Sequence, residues 1–135
     1  MALGDTGSFP AARKGPAMER VRFIDHLGHR ILLIDHTGTS AKEVMSDSDY
    51  ASNLIQKEPL GSVLLLSDFS QATLNRKVVE HIKVDAARNR PHLKRSAWVV
   101  TDNLPKALHD SLRTFSAREI PLFKTREQAM EYLVK

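Results

Sequence analysis

A chain of 135 residues, 41% of them hydrophobic, is long enough for one domain with an ordinary core. Its lack of cysteine excludes disulfides and thiolate metal sites, and it suits a reducing cytoplasm. The net charge is a modest +4, and no apolar run approaches the roughly 20 residues needed to span a bilayer.

The opening residues, MALGDTGSFPAARKGPAMER, place Gly, Pro and acid where a signal peptide needs an unbroken apolar segment. They read as a flexible leader, 1–18, ahead of a single cytoplasmic domain, 19–135. Arg20 to Asp25 has the alternation of a short strand, with Val21 and Phe23 inward and Arg20 and Arg22 outward. DHLGHR is then a turn, and RILLID is an apolar run bounded by charge, as in a central strand buried on both faces. Ser40 and Glu43 form a capping box that opens a helix with Val44, Ala51, Leu54 and Ile55 inward. SDSD in its middle is a poor helix former and predicts a kink or break.

Pro59 and Gly61 end that helix, and SVLLLS is the next buried strand. Val78, Val79, Ile82 and Ala86 mark a helix from about Asn75 to Arg88, stopped by Pro91, with Asn89 a candidate left-handed terminus. SAWVVT is a third buried strand whose Trp98 belongs to the core. Pro105 starts a helix with Leu104, Leu108, Leu112 and Phe115 inward, and IPLFK is a short strand placed at an edge by its proline. Thr125 and Gln128 cap a last helix carrying Ala129, Met130 and Leu133. The alternation predicts a single-domain α/β sandwich. It has a mostly parallel sheet of about five strands, the first antiparallel, and about four helices.

The positive charge is concentrated. Arg76 to Arg95 holds seven Lys/Arg against Glu80 and Asp85, a net +5, whereas the remaining residues carry thirteen bases and fourteen acids. Such a patch can meet an acidic protein, phosphates or an anionic surface. No aromatic platform interleaves it, so nucleic acid is not an expected partner.

Four segments, GHRILLIDHTGT, KEPLGSVLLLSDFS, LNRKVVEHIKVDAARNRPHLKRSAWVV and REIPLFKTREQAMEYL, carry a resemblance to the SpoIIAA-like branch of the STAS superfamily. The resemblance spans about Phe23 to Leu133. It implies four parallel strands with an antiparallel first strand, no established enzyme activity, and regulation by protein contact. Related folds bind lipids, which implies that a small lipid-like ligand between helix and sheet is an alternative. In the anti-sigma factor antagonists of this superfamily, a serine at the start of the helix after the third strand is phosphorylated. Here the corresponding ATLN offers Thr73 and a non-phosphorylatable Asn75. Ser70 and Thr73 are the remaining acceptors.

Parallel sheets bind ligands beyond the carboxyl ends of their strands. Those ends carry Asp35, Asp68, Thr101 with Asp102, and Lys124, a set similar to a phospho-accepting receiver site. The alternative is that Asp35, Asp68 and Asp102 accept loop amides and cap turns. His26 and His29 lack further ligands, so no metal site or cofactor is expected. No nucleophile with a partner base is legible. The sequence therefore points to a non-catalytic regulatory or binding module. Its candidate contact residues are Asp68, Ser70, Thr73, Asn75, Arg76, Lys77, Lys83 and Arg90, and homodimerisation stays open.

Overall fold

The computed structural model describes residues 17–101, 106–116 and 120–135. Residues 1–16 of the expected leader 1–18, Asp102, Leu104 and Pro105, and the side chains of Leu108 and Leu112, lie outside what is described. A single helical turn, α1 (Ala17–Arg20), leads into β1 (Val21–His26) and β2 (His29–Asp35). Then follow α2 (Ala41–Ile55), β3 (Val63–Asp68), α3 (Arg76–Asn89), a 3₁₀ turn (Arg90–His92) and β4 (Leu93–Val99). The chain closes with α4 (Lys106–Ser116), β5 (Leu122–Phe123) and α5 (Arg126–Leu133). The sheet order is β1-β2-β3-β4-β5, with β1 antiparallel to β2 and every other pair parallel. This is the α/β architecture read from the sequence, with the two-residue β5 at an edge.

The hairpin joining β1 to β2 turns on Leu27 and Gly28, both at positive φ (52° and 81°). Two such residues match the right-handed twist of the flanking strands, and Gly28 adopts that conformation without steric cost. The three inner strands carry apolar runs, Ile31 to Ile34, Val63 to Leu66 and Ala97 to Val99, because both faces are covered there. On one face Val78, Val79 and Ile82 of α3 pack with Trp98, Phe69 and Ile120, joined by Val44 from α2. On the same sheet nearer β1, Ala51 and Ile55 of α2 lie against Leu32, Ile34 and Leu65. The opposite face buries Ile31, Leu33, Leu66 and Val99 under Ala129 and Leu133 of α5. Trp98 stacks on Phe115 of α4 and meets Phe69 edge-on, so it is core.

Three local expectations are corrected. Helix α2 runs unbroken through SDSD, because Asp47 and Ser48 are buried and hydrogen-bonded to Arg20 and Asp85. Their polar groups act as tertiary contacts and do not compete with the helix backbone. Arg20, expected to point outward, is buried at the end of α1 for the same reason. Asn89 keeps right-handed dihedrals (φ −79°, ψ −20°), and its amide donates to Ser52 Oγ. A side chain held across the α2–α3 seam leaves the turn to the following Arg90–His92 segment.

Candidate functional site

The parallel register places Asp35 and Asp68 side by side at the carboxyl ends of β2 and β3. Two adjacent buried carboxylates repel, so the pair requires a cation. Arg126, the first residue of α5, supplies it. Its Nε and Nη2 donate to Asp68 Oδ2 at 2.9 and 2.7 Å, and Nη2 lies 3.3 Å from Asp35 Oδ1. Each acid also accepts the amide two residues on, Thr37 N to Asp35 Oδ1 (3.1 Å) and Ser70 N to Asp68 Oδ1 (3.0 Å). These are Asx turns, in which the carboxylate shapes the loop after its strand. The Ser70 hydroxyl adds a 2.6 Å bond to the same Asp68 oxygen. Burial disfavours the charge on Asp68, but the bonds from Ser70 and Arg126 outweigh it and hold the carboxyl below its ordinary range.

The loop from Asp68 to Asn75 is tied to the loop after β2. Gly38 N donates to Ser70 O at 3.2 Å, and Thr73 N donates to Thr39 O at 2.9 Å. Asn75 is the N-cap of α3, its Oδ1 accepting Val78 N at 2.9 Å. Ser70 is half-buried and engaged with Asp68, whereas Thr73 is exposed. Of the other strand-end candidates, Thr101 is half-buried and Lys124 is exposed just before Thr125, the N-cap of α5.

Beneath this end lies His36, which stacks on Phe69 with ring centroids 4.7 Å apart. It is fully buried and its Nδ1 has no hydrogen-bond partner. Burial, aided by the charge of Arg20 and opposed by Asp68, lowers its pKa to about 3, so the ring is neutral at pH 7. Asp47 lies 3.8 Å from that Nδ1, but its oxygens accept from Arg20 Nε (2.7 Å) and Nη2 (2.9 Å).

The basic residues of α3 divide into two groups. Arg76, Lys77 and Arg88 are exposed, as is Arg90 just beyond the helix. Lys83, expected on the same surface, instead donates to Ser111 Oγ on α4 at 2.8 Å and lies 5.9 Å from the Phe115 ring centroid. It fastens α4 to α3.

A cavity of about 420 Å³ opens between α3, α4 and the start of β4. Ala86, Leu93, Phe115 and Ile120 give it apolar walls, and Arg90 and Lys94 stand at it. Ser96 also lines it, and its buried Oγ has no hydrogen-bond partner. Arg95 is directed elsewhere, donating to the carbonyls of Tyr132, Leu133 and Lys135 at the end of α5.

His26 and His29 face each other across the hairpin as the last β1–β2 pair. Among the described residues, the group with metal-ligand spacing is a different one: Asp49 of α2 with His81 and Asp85 of α3. The i,i+4 spacing of His81 and Asp85 was a usable sequence signal. Asp49 was not foreseeable, since it joins them from another helix. Arg126 and Ser96 were likewise missed, because nothing local distinguishes them. No protein-family model, curated protein or solved structure matches this chain.

Proposed function

We propose that the chain is a non-catalytic, SpoIIAA-like regulatory module that works by contact between α3 and an acidic protein partner. The observation that carries this is the engagement of Asp35 and Asp68 by Arg126 within the chain. Arg126 takes the oxygens that a bound metal would need, which makes the receiver-like phosphoacceptor the weaker reading. The excess charge is displayed instead on α3, where Arg76, Lys77 and Arg88 are exposed. The test is capture of a partner from native cells with wild type and with the Arg76→Glu/Lys77→Glu pair. The reading expects a defined partner whose retention falls with salt and is lost in the variant. Equal retention by both proteins overturns it. Lys83 is left unchanged because its reversal would detach α4.

A second reading is favoured by the cavity beside β4. Its apolar walls, Arg90 and Lys94, and the unpartnered Ser96 hydroxyl suit an anionic amphiphile with a short hydrocarbon tail. Dodecyl phosphate titrated into the protein should raise its melting temperature, and Ser96→Leu, which fills the cavity, should abolish the shift. No shift with wild type removes this reading.

A further inference from the structure

Helices α2 and α3 meet along a polar seam, unlike the apolar faces they turn to the sheet. Ser48 donates to Asp85, Asn89 to Ser52, and Gln56 to Asn89. At the outer edge of this seam Asp49, His81 and Asp85 converge. We propose that these three residues form a binding site for a divalent transition-metal ion of the zinc class.

The geometry is already close to that of a coordination sphere. His81 Nε2 lies 2.7 Å from Asp49 Oδ1 and 3.5 Å from Asp85 Oδ2, and one ligand atom from each residue lies within 4.8 Å of the others. Ligands about 2.0–2.2 Å from a shared tetrahedral ion stand roughly 3.5 Å apart. Taking up an ion therefore changes these separations by up to about 1.3 Å. Asp49, whose side chain is 56% exposed, can move without disturbing the core.

The other two ligands are held in place. His81 and Asp85 sit one turn apart on α3, so the helix sets their separation. The Asp85 side chain is only 9% exposed, and Ser48 Oγ donates to its Oδ2 at 2.7 Å. A ligand carboxylate oriented by a hydroxyl behind it is the usual support for a metal site.

The donor set also narrows the ion. One imidazole nitrogen with two carboxylates suits Zn²⁺, Co²⁺ or Mn²⁺ better than Ca²⁺ or Mg²⁺, which favour oxygen alone. The exposed side of the site leaves further positions to water.

The test is calorimetric titration of ZnCl₂ into the chelator-treated protein, with Co²⁺ as a spectroscopic substitute. Wild type should bind one equivalent, and bound Co²⁺ should show visible bands with imidazole ligation. Asp49→Ala and His81→Ala should each weaken binding at least tenfold, and Ser48→Ala should weaken it about tenfold. The His26→Ala/His29→Ala pair should bind as wild type does. Circular dichroism of Asp49→Ala, altered at an exposed position, confirms that loss of binding is not loss of fold. No binding by wild type, or undiminished binding by His81→Ala, overturns the site and leaves His81 as a hydrogen-bonded contact between the two helices.

Discussion

Arg126 reaches back 58 residues to place two hydrogen bonds, of 2.9 and 2.7 Å, on a single oxygen of Asp68. The contact joins the N-terminus of α5 to the carboxyl end of β3. It also supplies the cation for two aspartates that the sheet register sets side by side.

Removing that cation should leave a buried carboxylate unpaired. Arg126→Ala is expected to lower stability by about 2 kcal/mol in urea unfolding, with Asp68→Asn affected less because Arg126 then keeps Asp35 as its partner. The pH dependence follows from the lowered pKa of Asp68. Its stabilisation is fully present above the unfolded carboxyl value of about 3.9 and is lost as pH falls through the lower folded value. Asp68→Asn should flatten the acid limb of the stability curve below about pH 4. An unchanged limb would place the acid sensitivity elsewhere.

His36 predicts a second, separate window. The ring titrates near 6.5 when unfolded and at about 3 when folded, so its neutral form is native at pH 7. Below about pH 6.5 the unfolded state takes up the proton first, and stability should fall by about 1.4 kcal/mol for each pH unit down to about 3. His36→Phe preserves an aromatic ring against Phe69 and should remove this slope between pH 6.5 and 4.5. Identical slopes in the two proteins would refute the assignment.

The Arg20–Asp47 pair, buried and joined by two hydrogen bonds, should respond asymmetrically to substitution. Asp47→Ala removes both short hydrogen bonds from a buried guanidinium, with Glu43 still 3.8 Å away, and is expected to cost about 3 kcal/mol. The double variant Arg20→Met/Asp47→Leu should recover most of that loss. Additive losses in a double-mutant cycle would show that the two side chains act independently.

The hairpin offers a stabilising substitution. Leu27 is exposed and held at positive φ, where a leucine is strained. Leu27→Asn should raise stability by about 0.5–1 kcal/mol, read from the thermal midpoint. A neutral or negative change would mean that Leu27 makes a contact worth more than the strain.

Ser96 distinguishes an empty cavity from an occupied one. Its buried hydroxyl lacks a partner, so Ser96→Ala should be neutral or stabilising by up to about 1 kcal/mol in protein freed of small molecules. A clear loss of stability would indicate that the hydroxyl has a bound water or ligand.

The sequence by itself determined the order of elements and where most of them begin. Those signals act within a few residues: apolar runs in β2, β3 and β4, helical spacing in α3, and caps at Ser40, Asn75 and Thr125. A side chain that caps its own helix is legible because donor and acceptor lie three positions apart. The same local reading misjudged SDSD, since the propensity of Ser and Asp counts against a helix only while their polar groups lack distant partners. Tertiary structure decided those partners. It brought Asp47 to Arg20, Ser48 to Asp85, Asp49 to His81 and Asp68 to Arg126 across 27 to 58 residues. Only packing that fixes strand register and helix rotation could determine which charges end as neighbours. For that reason the fold was readable in the chain, and the pairing of its polar groups was not.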